Sequence, residues 1–216
     1  MKRIAIVLGI VGVTIFSCTE NKKEEIVDTQ EVVVEASQEE PSDVVEGVVK
    51  NSSVKWTGFK TTEKVAVSGT FDAVQISDTK EGKTAEEVLQ GAKVRAVVSS
   101  INSGLEERDG KLKMLLFGAM ANTNDIFGVI NFRNGKTYIT FTLNNLSKEY
   151  EVQSKFENNV FTINTTVDLA AFKGSDAVES LNKACGDLHK GADGITKTWT
   201  EVDIEGTVEF TEGFGK

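Results

Sequence analysis

The segment Lys64-Val65-Ala66-Val67-Ser68-Gly69-Thr70-Phe71 decides the fold class of this chain. Most of its apolar residues stand at every second position, and small or polar residues fill the positions between them. Side chains alternate between the two faces of a β-strand, so this spacing predicts a strand with one apolar face. The same alternation recurs further along the chain, most clearly in residues 138–143, 161–167 and 202–210.

These repeats predict about eight strands, each apolar on one face and mostly polar on the other. Asn134-Gly135 lies between two such segments and suits a tight hairpin turn, and Glu157-Asn158-Asn159 suits a second one. The one proline, Pro41, lies outside all of them, so no predicted strand is interrupted. An antiparallel sheet with one apolar face must close on itself or cover a second sheet. The chain is therefore predicted to be all-β, either a barrel or a sandwich.

Three short helices are predicted between the strands. Thr84-Ala85-Glu86-Glu87 and Ser103-Gly104-Leu105-Glu106 both match the capping box, in which a hydroxyl and a carboxylate satisfy each other's backbone donors. A third helix is predicted to start after Ser175 and to end at Gly186. Cys185 would share its apolar face and be buried, with no disulfide partner.

The beginning of the chain predicts export and a lipid anchor. Lys2 and Arg3 precede an uncharged apolar run over residues 4–16, which is shorter than the roughly 20 residues that cross a bilayer. A basic flank followed by a short apolar run is typical of a secretory signal peptide. Cys18 directly after Ser17 resembles the lipobox of bacterial lipoproteins.

That resemblance implies a signal peptide over residues 1–17 and a mature chain that begins at a lipidated Cys18. The lipid would attach the protein to a membrane of the bacterial cell envelope. Thr19 is not an inner-membrane retention residue in the best-known sorting rule, which favours the outer membrane, on its periplasmic side or at the cell surface.

Residues 18–47 are predicted to be a disordered tether. Positions 19–47 hold ten acidic residues and only two bases, Lys22 and Lys23, and no aromatic residue. Such a segment buries too little apolar surface to offset the entropy of ordering it. Residues 48–216 hold 23 acidic and 20 basic residues and have the size of one domain. Neither part has the basic surface of a nucleic-acid binder, so we expect no nucleic-acid partner.

Three segments of the predicted domain resemble the YceI family of secreted lipid-binding proteins. The most specific is VRAVVSSINSG at residues 94–104, followed by Glu107-Arg108-Asp109 and Leu112. The others are SSVKW at 52–56 with VSGTF at 67–71, and LNNLSKE at 143–149. In order and spacing the likeness runs from about Ser52 to Phe210.

The resemblance implies an extended eight-stranded antiparallel barrel, lipocalin-like, whose apolar channel holds an isoprenoid or another long-chain lipid. The chain departs from the family pattern in three places. Lys111 replaces a histidine, Leu115-Leu116-Phe117 replaces an acidic–aromatic motif, and the stretch from Gly186 to Thr198 is longer. If these positions meet a polar head group in the family, that head group would differ here or be absent.

The apolar strand faces and the segment after Arg108 give the candidate ligand-binding residues. Gly58, Gly69, Ala96 and Gly206 are small and in register with these faces, which favours open space inside an eight-stranded barrel. Arg108 is a candidate anion contact at the channel mouth. The full candidate set is Trp56, Val67, Phe71, Ala96, Arg108, Leu112, Leu116, Phe117, Ile130, Phe132, Phe141, Phe161, Ile163 and Ile204.

Catalysis and metal binding have little support in the sequence. His189 is the only histidine and no cysteine pair accompanies it, so we expect no metal and no cofactor. A Cys185–His189 dyad has the spacing of one helical turn, but a nucleophilic cysteine belongs in an electropositive, partly exposed setting. The leading hypothesis is thus a lipid-binding barrel that does no chemistry on its ligand. The alternative is a structural or adhesive surface lipoprotein with a filled barrel core and protein-binding loops; an enzyme acting on the bound lipid is a third possibility.

Overall fold

The structure, a computed structural model, describes residues 48–214 and contains ten β-strands in that range. The predicted signal peptide, the lipidation residue Cys18 and the acidic tether lie outside the described residues. The strands are β1 (Val49–Lys60), β2 (Val65–Phe71), β3 (Val74–Ser77), β4 (Lys93–Val97), β5 (Ile101–Asn102), β6 (Asp125–Arg133), β7 (Lys136–Leu143), β8 (Leu146–Glu157), β9 (Val160–Asp168) and β10 (Thr198–Phe210).

The predicted all-β, antiparallel class is confirmed, but the strand number is ten and not eight. The two additional strands arise because two segments are each interrupted once. Only Asp72 and Ala73 separate β2 from β3, and a 3₁₀ turn over Val98–Ser100 separates β4 from β5. The Ser100 hydroxyl accepts a hydrogen bond from the Ala73 amide at 3.0 Å and donates one to the Val97 carbonyl at 2.7 Å. Hydrogen bonds of the Ser100 side chain therefore stabilise both interruptions, and the alternation of apolar residues does not predict them.

The sheet curls round into a barrel through these interrupted strands. The hydrogen-bonded order is β3-β4-β6-β7-β8-β9-β10-β1-β2-β5, so β3 lies at one end of the order and β2 near the other. Because β2 continues into β3 after two residues, the chain itself joins the two ends. The first and last strands also pair along most of their length, from Val49 opposite Phe210 to Lys60 opposite Thr198.

The predicted hairpin turns are present. Asn134 and Gly135 connect β6 to β7, and both have positive φ, 53° and 72°. Asn158 and Asn159 connect β8 to β9 with φ of 52° and 63°. Two successive residues with positive φ give the turn whose twist matches that of the flanking strands, and asparagine and glycine tolerate this conformation best.

One end of the barrel, which we call the α1 end, is closed by helix α1 (Ala85–Leu89). The predicted capping box is confirmed: the Glu87 amide donates to Thr84 Oγ1 and the Thr84 amide donates to Glu87 Oε2, both at 3.2 Å. Val88 and Leu89 are completely buried against the strands. Beside them, the rings of Phe210 and Phe214 stack at 4.2 Å between centroids.

The opposite end, which we call the α2–α3 end, is covered by several short helical segments. These are α2 (Glu106–Lys111), a π-helical turn (Leu112–Leu116), 3₁₀ turns at Phe117–Ala119, Leu169–Phe172 and Gly186–His189, and α3 (Ser175–Ala184). Val178, Leu181 and Cys185 are buried on one face as predicted, although α3 begins at Ser175 itself. No helix within residues 48–214 has the length and apolar character needed to cross a membrane.

The second predicted capping box is wrong. Helix α2 begins at Glu106 without a side-chain cap, and Ser103 lies outside it. The Ser103 amide instead donates to Asp109 Oδ1, and the Gly104 amide donates to Asn102 Oδ1, both at 2.9 Å. Gly104 adopts a φ of 75°, which turns the chain away from the geometry that a capping box requires. The buried Asp109 carboxylate thus accepts a hydrogen bond from the Ser103 amide in place of Glu106, to which the sequence assigned that role.

Candidate functional site

An apolar cavity lies inside the barrel between the strand faces and the α2–α3 end. We call it the central cavity; its volume is about 200 Å³. A single water needs only about 10–15 Å³ of such space, so the barrel interior is far from filled. The surrounding side chains are almost all aliphatic or aromatic, because every inward position of the strands follows the alternation seen in the sequence.

Most of the predicted ligand-binding residues line this cavity. They come from seven strands and from the helical segment after Arg108, so the barrel brings together positions that are far apart in sequence. The residues in this group are Trp56, Phe71, Ala96, Leu112, Leu116, Phe117, Ile130, Phe141, Phe161, Ile163 and Ile204.

Three predicted residues do not line the central cavity. Val67 and Arg108 line a second pocket at the α2–α3 end. The prediction for Phe132 was wrong, because this residue does not line the central cavity. Its side chain points inward but lies nearer the α1 end, where its ring packs edge-on against Phe161 at 5.7 Å between centroids. Its side chain therefore contributes to the filled part of the interior.

At the α2–α3 end, the sequence missed the lining residues that come from the 3₁₀ turn at Leu169–Phe172 and from helix α3. Leu169 and Phe172 belong to a 3₁₀ turn that no pattern predicted, and Val178 and Leu181 were assigned only to a helix face. The turn is held in place by a tertiary contact, since Asn144 Nδ2 donates to the Phe172 carbonyl at 2.8 Å. Missed strand positions follow the same alternation as the predicted ones: Val54, Val94, Ile101, Ile126, Ile139, Leu143, Val167, Val202 and Val208.

The four small residues predicted to leave space do not behave alike. Gly58 and Ala96 line the cavity, and a Cβ placed on Gly58 would meet no atom within 4 Å. The prediction of open space at Gly69 was wrong. A Cβ there would lie 2.5 Å from the Trp56 ring, which already fills the space. Gly206 is intermediate, with an Ile163 side-chain carbon 3.1 Å from the position of its Cβ. Open space therefore remains at Gly58 and not at Gly69.

A second pocket of about 270 Å³, which we call the mouth pocket, adjoins the central cavity at the α2–α3 end. Both spaces are bounded by the same six residues: Trp56, Gly58, Phe59, Leu112, Leu181 and Thr198. The remaining wall differs in character, since it includes Lys60, Arg108 and Lys111 together with the exposed side chains of Leu105 and Leu188. The wall of the interior thus includes charged side chains at this end, beside apolar ones.

His189 belongs to a hydrogen-bonded chain in the wall of the mouth pocket. Thr198 Oγ1 donates to Asn182 Oδ1 at 2.9 Å and lies 2.6 Å from His189 Nδ1. Because the hydroxyl has one proton, His189 Nδ1 must be the donor in the shorter contact. Burial lowers the pKa of His189, and the charges of Lys60 and Lys111 lower it further.

Cys185 and His189 both lie in the wall of the mouth pocket. The His189 ring forms a hydrogen bond with Thr198. The Cys185 thiol, directly after helix α3, is buried. Nowhere in residues 48–214 do three or more His, Cys, Asp or Glu side chains gather as a metal site would require. The geometry is that of an apolar interior space that continues into a pocket at the α2–α3 end, which suits binding of a molecule with a long apolar part.

Residues 46–210 match the sequence profile of the YceI-like domain. A polyisoprenoid-binding domain from Saccharophagus degradans, implicated in plant cell wall breakdown, has a similar fold, with a TM-score of 0.55 at 13% identity over 75% of this chain and 94% of that one. No curated protein matches the chain.

Two further solved structures are more distant in shape. Burkholderia cenocepacia BcnA gives a TM-score of 0.48 at 15% identity, covering 73% of this chain and 94% of its own. A Campylobacter jejuni YceI protein gives 0.41 at 16% identity, covering 84% and 97%. The match to the Saccharophagus degradans domain supports the barrel fold.

Proposed function

The chain belongs to the YceI-like domain family, and from that premise we propose that it binds a polyisoprenoid or another long-chain lipid in its central cavity. The observation that carries the proposal is the unfilled, apolar cavity of about 200 Å³ inside the barrel. The similar domain from Saccharophagus degradans is a polyisoprenoid-binding one, which supports the same class of ligand.

The physical basis is the removal of an apolar chain from water. A ligand that buries about 300 Å² of apolar surface gains roughly 7 kcal/mol, before the cost of association is subtracted. The side chains around an empty cavity also lack contacts on one side, and a ligand would restore them. Neither contribution requires precise polar contacts, so a flexible hydrocarbon chain suits this interior.

Binding without chemistry is the form of function we propose. A filled scaffold with protein-binding loops, the alternative considered from the sequence, would have no reason to keep this space open. An enzyme acting on the lipid would need a nucleophile, a base and a stabilising donor set around the cavity, and the cavity wall is instead aliphatic and aromatic.

The test uses the co-purifying lipid. Organic extraction of the purified full-length protein, followed by mass spectrometry, should recover a long-chain lipid. Gly58→Val should reduce that lipid strongly, because the added methyl groups point into open space shared by the cavity and the mouth pocket. The control is Ala66→Val on exposed β2, which adds bulk outside the barrel. Parent protein without any lipid, or equal lipid in both variants, would contradict the proposal.

We further propose that the protein works outside the cytoplasm, attached to the cell envelope through lipid on Cys18, with the outer membrane favoured. The support is the sequence of residues 1–18 alone: a basic start, a short apolar run and the Ser17-Cys18 junction. Metabolic labelling with a fatty-acid analogue should mark the parent protein, and Cys18→Ser should abolish the label because a hydroxyl cannot form the thioether. Label retained on the serine variant would refute the anchor.

A further inference from the structure

We propose that the α2–α3 end of the barrel docks on the surface of a lipid bilayer, the one that holds the membrane anchor of the chain. This inference rests on the proposed function in two respects, the lipid on Cys18 and the apolar ligand of the central cavity. A ligand that leaves the bilayer at this end would enter the mouth pocket without crossing water.

The exposed apolar side chains of the barrel are concentrated at this end. Seven large apolar side chains are exposed within residues 48–214, and five of them, which we call the exposed apolar group, lie at the α2–α3 end. The group consists of Val65, Leu105, Met114, Leu188 and Ile195. Apolar side chains exposed together mark surfaces that meet a partner or a membrane.

Three members of the group belong to the helical cover of this end. Leu105 and Leu188 lie in the wall of the mouth pocket. Met114 lies between Leu112 and Leu116 in the π-helical turn, and it is 70% exposed although both leucines are buried. Its side chain therefore faces the outside of the cover and borders neither the central cavity nor the mouth pocket.

The other two members lie on the chain segments beside the opening. Val65 is paired with Lys60, a residue of the mouth-pocket wall. The Ile195 carbonyl accepts a hydrogen bond from the Gly191 amide at 2.9 Å, in the loop that follows His189 of the same wall. The exposed apolar group thus comes from four separate segments that meet at one end of the barrel.

The residues beside the exposed apolar group suit a membrane interface. Trp199 is half-buried, and its indole N–H donates to the Thr61 carbonyl at 2.8 Å. Lys197 Nζ lies 3.4 Å and Lys64 Nζ 4.3 Å from the centre of the Trp199 ring. Tryptophan is enriched where acyl chains meet head groups, and a lysine can lay its stem on apolar surface while its ammonium stays in water.

The length of chain before the domain allows this end to face the anchoring membrane. Val49 begins β1 at the α1 end, opposite Phe210, and Lys60 ends it at the mouth pocket. The 12 residues of β1 span about 40 Å. Val48 follows Cys18 by 30 positions, which reach about 100 Å when fully extended. The anchor and the docked end can therefore be at the same bilayer although the chain enters the barrel at its far end.

The experiment measures contact with acyl chains at two positions of the full-length protein. A bimane fluorophore is attached through Met114→Cys or, as the matched control, through Gln153→Cys on the exposed outer face of β8. The proteins are reconstituted into dilute vesicles of phosphatidylethanolamine and phosphatidylglycerol that contain phosphatidylcholine with brominated acyl chains. Parent protein treated in the same way gives the background from Cys18 and Cys185.

We expect the bromine atoms to quench the label at position 114 by at least about half, because a docked interfacial side chain lies at the boundary of the acyl chains. The label at position 153 should keep its fluorescence. Equal quenching at the two positions, or none at either, would overturn docking. The lipid that co-purifies with the protein reports on ligand binding separately.

A substitution at a second member assigns the contact to the exposed apolar group. In protein labelled at position 114, Ile195→Glu should remove most of the quenching, because a carboxylate does not enter the acyl region. Ile195→Leu is its matched control and should keep the quenching. Ile195 borders neither the central cavity nor the mouth pocket, so neither change alters the wall around the ligand. Unchanged quenching in Ile195→Glu would overturn the assignment of this surface.

A shortened chain tests the orientation. Deletion of residues 22–43 leaves eight positions between Cys18 and Val48, which reach only about 28 Å. The protein should stay on the vesicles and lose the quenching at position 114, because the α2–α3 end no longer reaches the bilayer. Undiminished quenching would overturn docking on the anchoring membrane. Parent protein that washes off the vesicles would overturn the anchor and docking together and leave ligand binding in the cavity intact.

Discussion

The two ends of the barrel differ although the same strands run through both. At the α1 end, Val88, Leu89 and Ala92 are 0% exposed and pack with an aromatic cluster. At the α2–α3 end, Leu105 is 50% and Leu188 61% exposed, and both border a pocket whose wall includes Lys60, Arg108 and Lys111. The strands alone do not decide whether the interior is filled. The segments that cover each end do.

The reason lies in the side chains of those covering segments. Helix α1 contributes small and medium aliphatic residues that fill gaps between strands, as interior packing at crystal-like density requires. The segment from Glu106 to Lys111 is charged at most positions, so it can border the interior but cannot fill it. The α1 end is thus packed throughout, whereas the α2–α3 end combines a buried cluster around Phe172 with an opening.

The largest expected effect tests this contrast directly through two leucine truncations. Leu89→Ala at the α1 end should lower the free energy of unfolding by about 3–5 kcal/mol, because it leaves a new cavity in a filled region. Leu116→Ala should cost only about 2 kcal/mol, since that side chain already borders the central cavity. Urea denaturation of lipid-free protein measures both. Equal losses would mean that the two ends are filled alike.

A smaller effect is expected from the two capping sequences, one near each end. Thr84→Ala removes a formed cap of α1 and should cost about 1 kcal/mol. Ser103→Ala should change the stability by less than about 0.5 kcal/mol, because its buried hydroxyl has no hydrogen-bond partner. Thermal melts of the two variants side by side give the comparison. A larger loss of stability in Ser103→Ala than in Thr84→Ala would show that Ser103 caps α2 as the sequence pattern predicted, and that α2 does not begin uncapped at Glu106.

The smallest effect is pH-dependent and belongs to the α2–α3 end, where the one histidine lies. Burial lowers the pKa of His189 below its usual 6.5. The unfolded chain therefore binds a proton more readily, so this contribution to stability is complete above pH 6.5 and decreases as the pH falls below it. Urea midpoints of parent and His189→Gln at pH 7.5 and 5.5 should show a weaker decrease in the variant. Identical decreases would exclude His189 as the source.

The sequence predicted the strand faces well because their signal is local. Phe141 and Phe161 line the cavity as the period of two implies, and the turn at Asn134-Gly135 follows from residue type alone. Thr84 caps its helix for the same reason, since both partners lie within four residues. Where the determining contact is near in sequence, the pattern was sufficient.

The remaining features depend on contacts between distant positions. The space beside Gly69 is filled by the Trp56 ring on the neighbouring strand. The alternation of apolar residues along a strand does not predict which residues of two strands lie next to each other. The strand interruption at Ser100 depends on its bond to Ala73, 27 positions away. The wall of the mouth pocket contains Lys60, Arg108 and His189, which are far apart in sequence. Of these three residues, only Arg108 lies in a sequence motif that indicated a binding role.

The pairing of β1 with β10 has a consequence for the order in which the protein is made. Lys50 and Glu209 form an ion pair across these strands although they lie 159 positions apart. The barrel wall therefore stays open until the last strand has left the ribosome, and contacts of such sequence separation form slowly. Until then β1 has an unpaired edge, which favours association with other chains. We expect ligand capture to be possible only after synthesis of the whole domain.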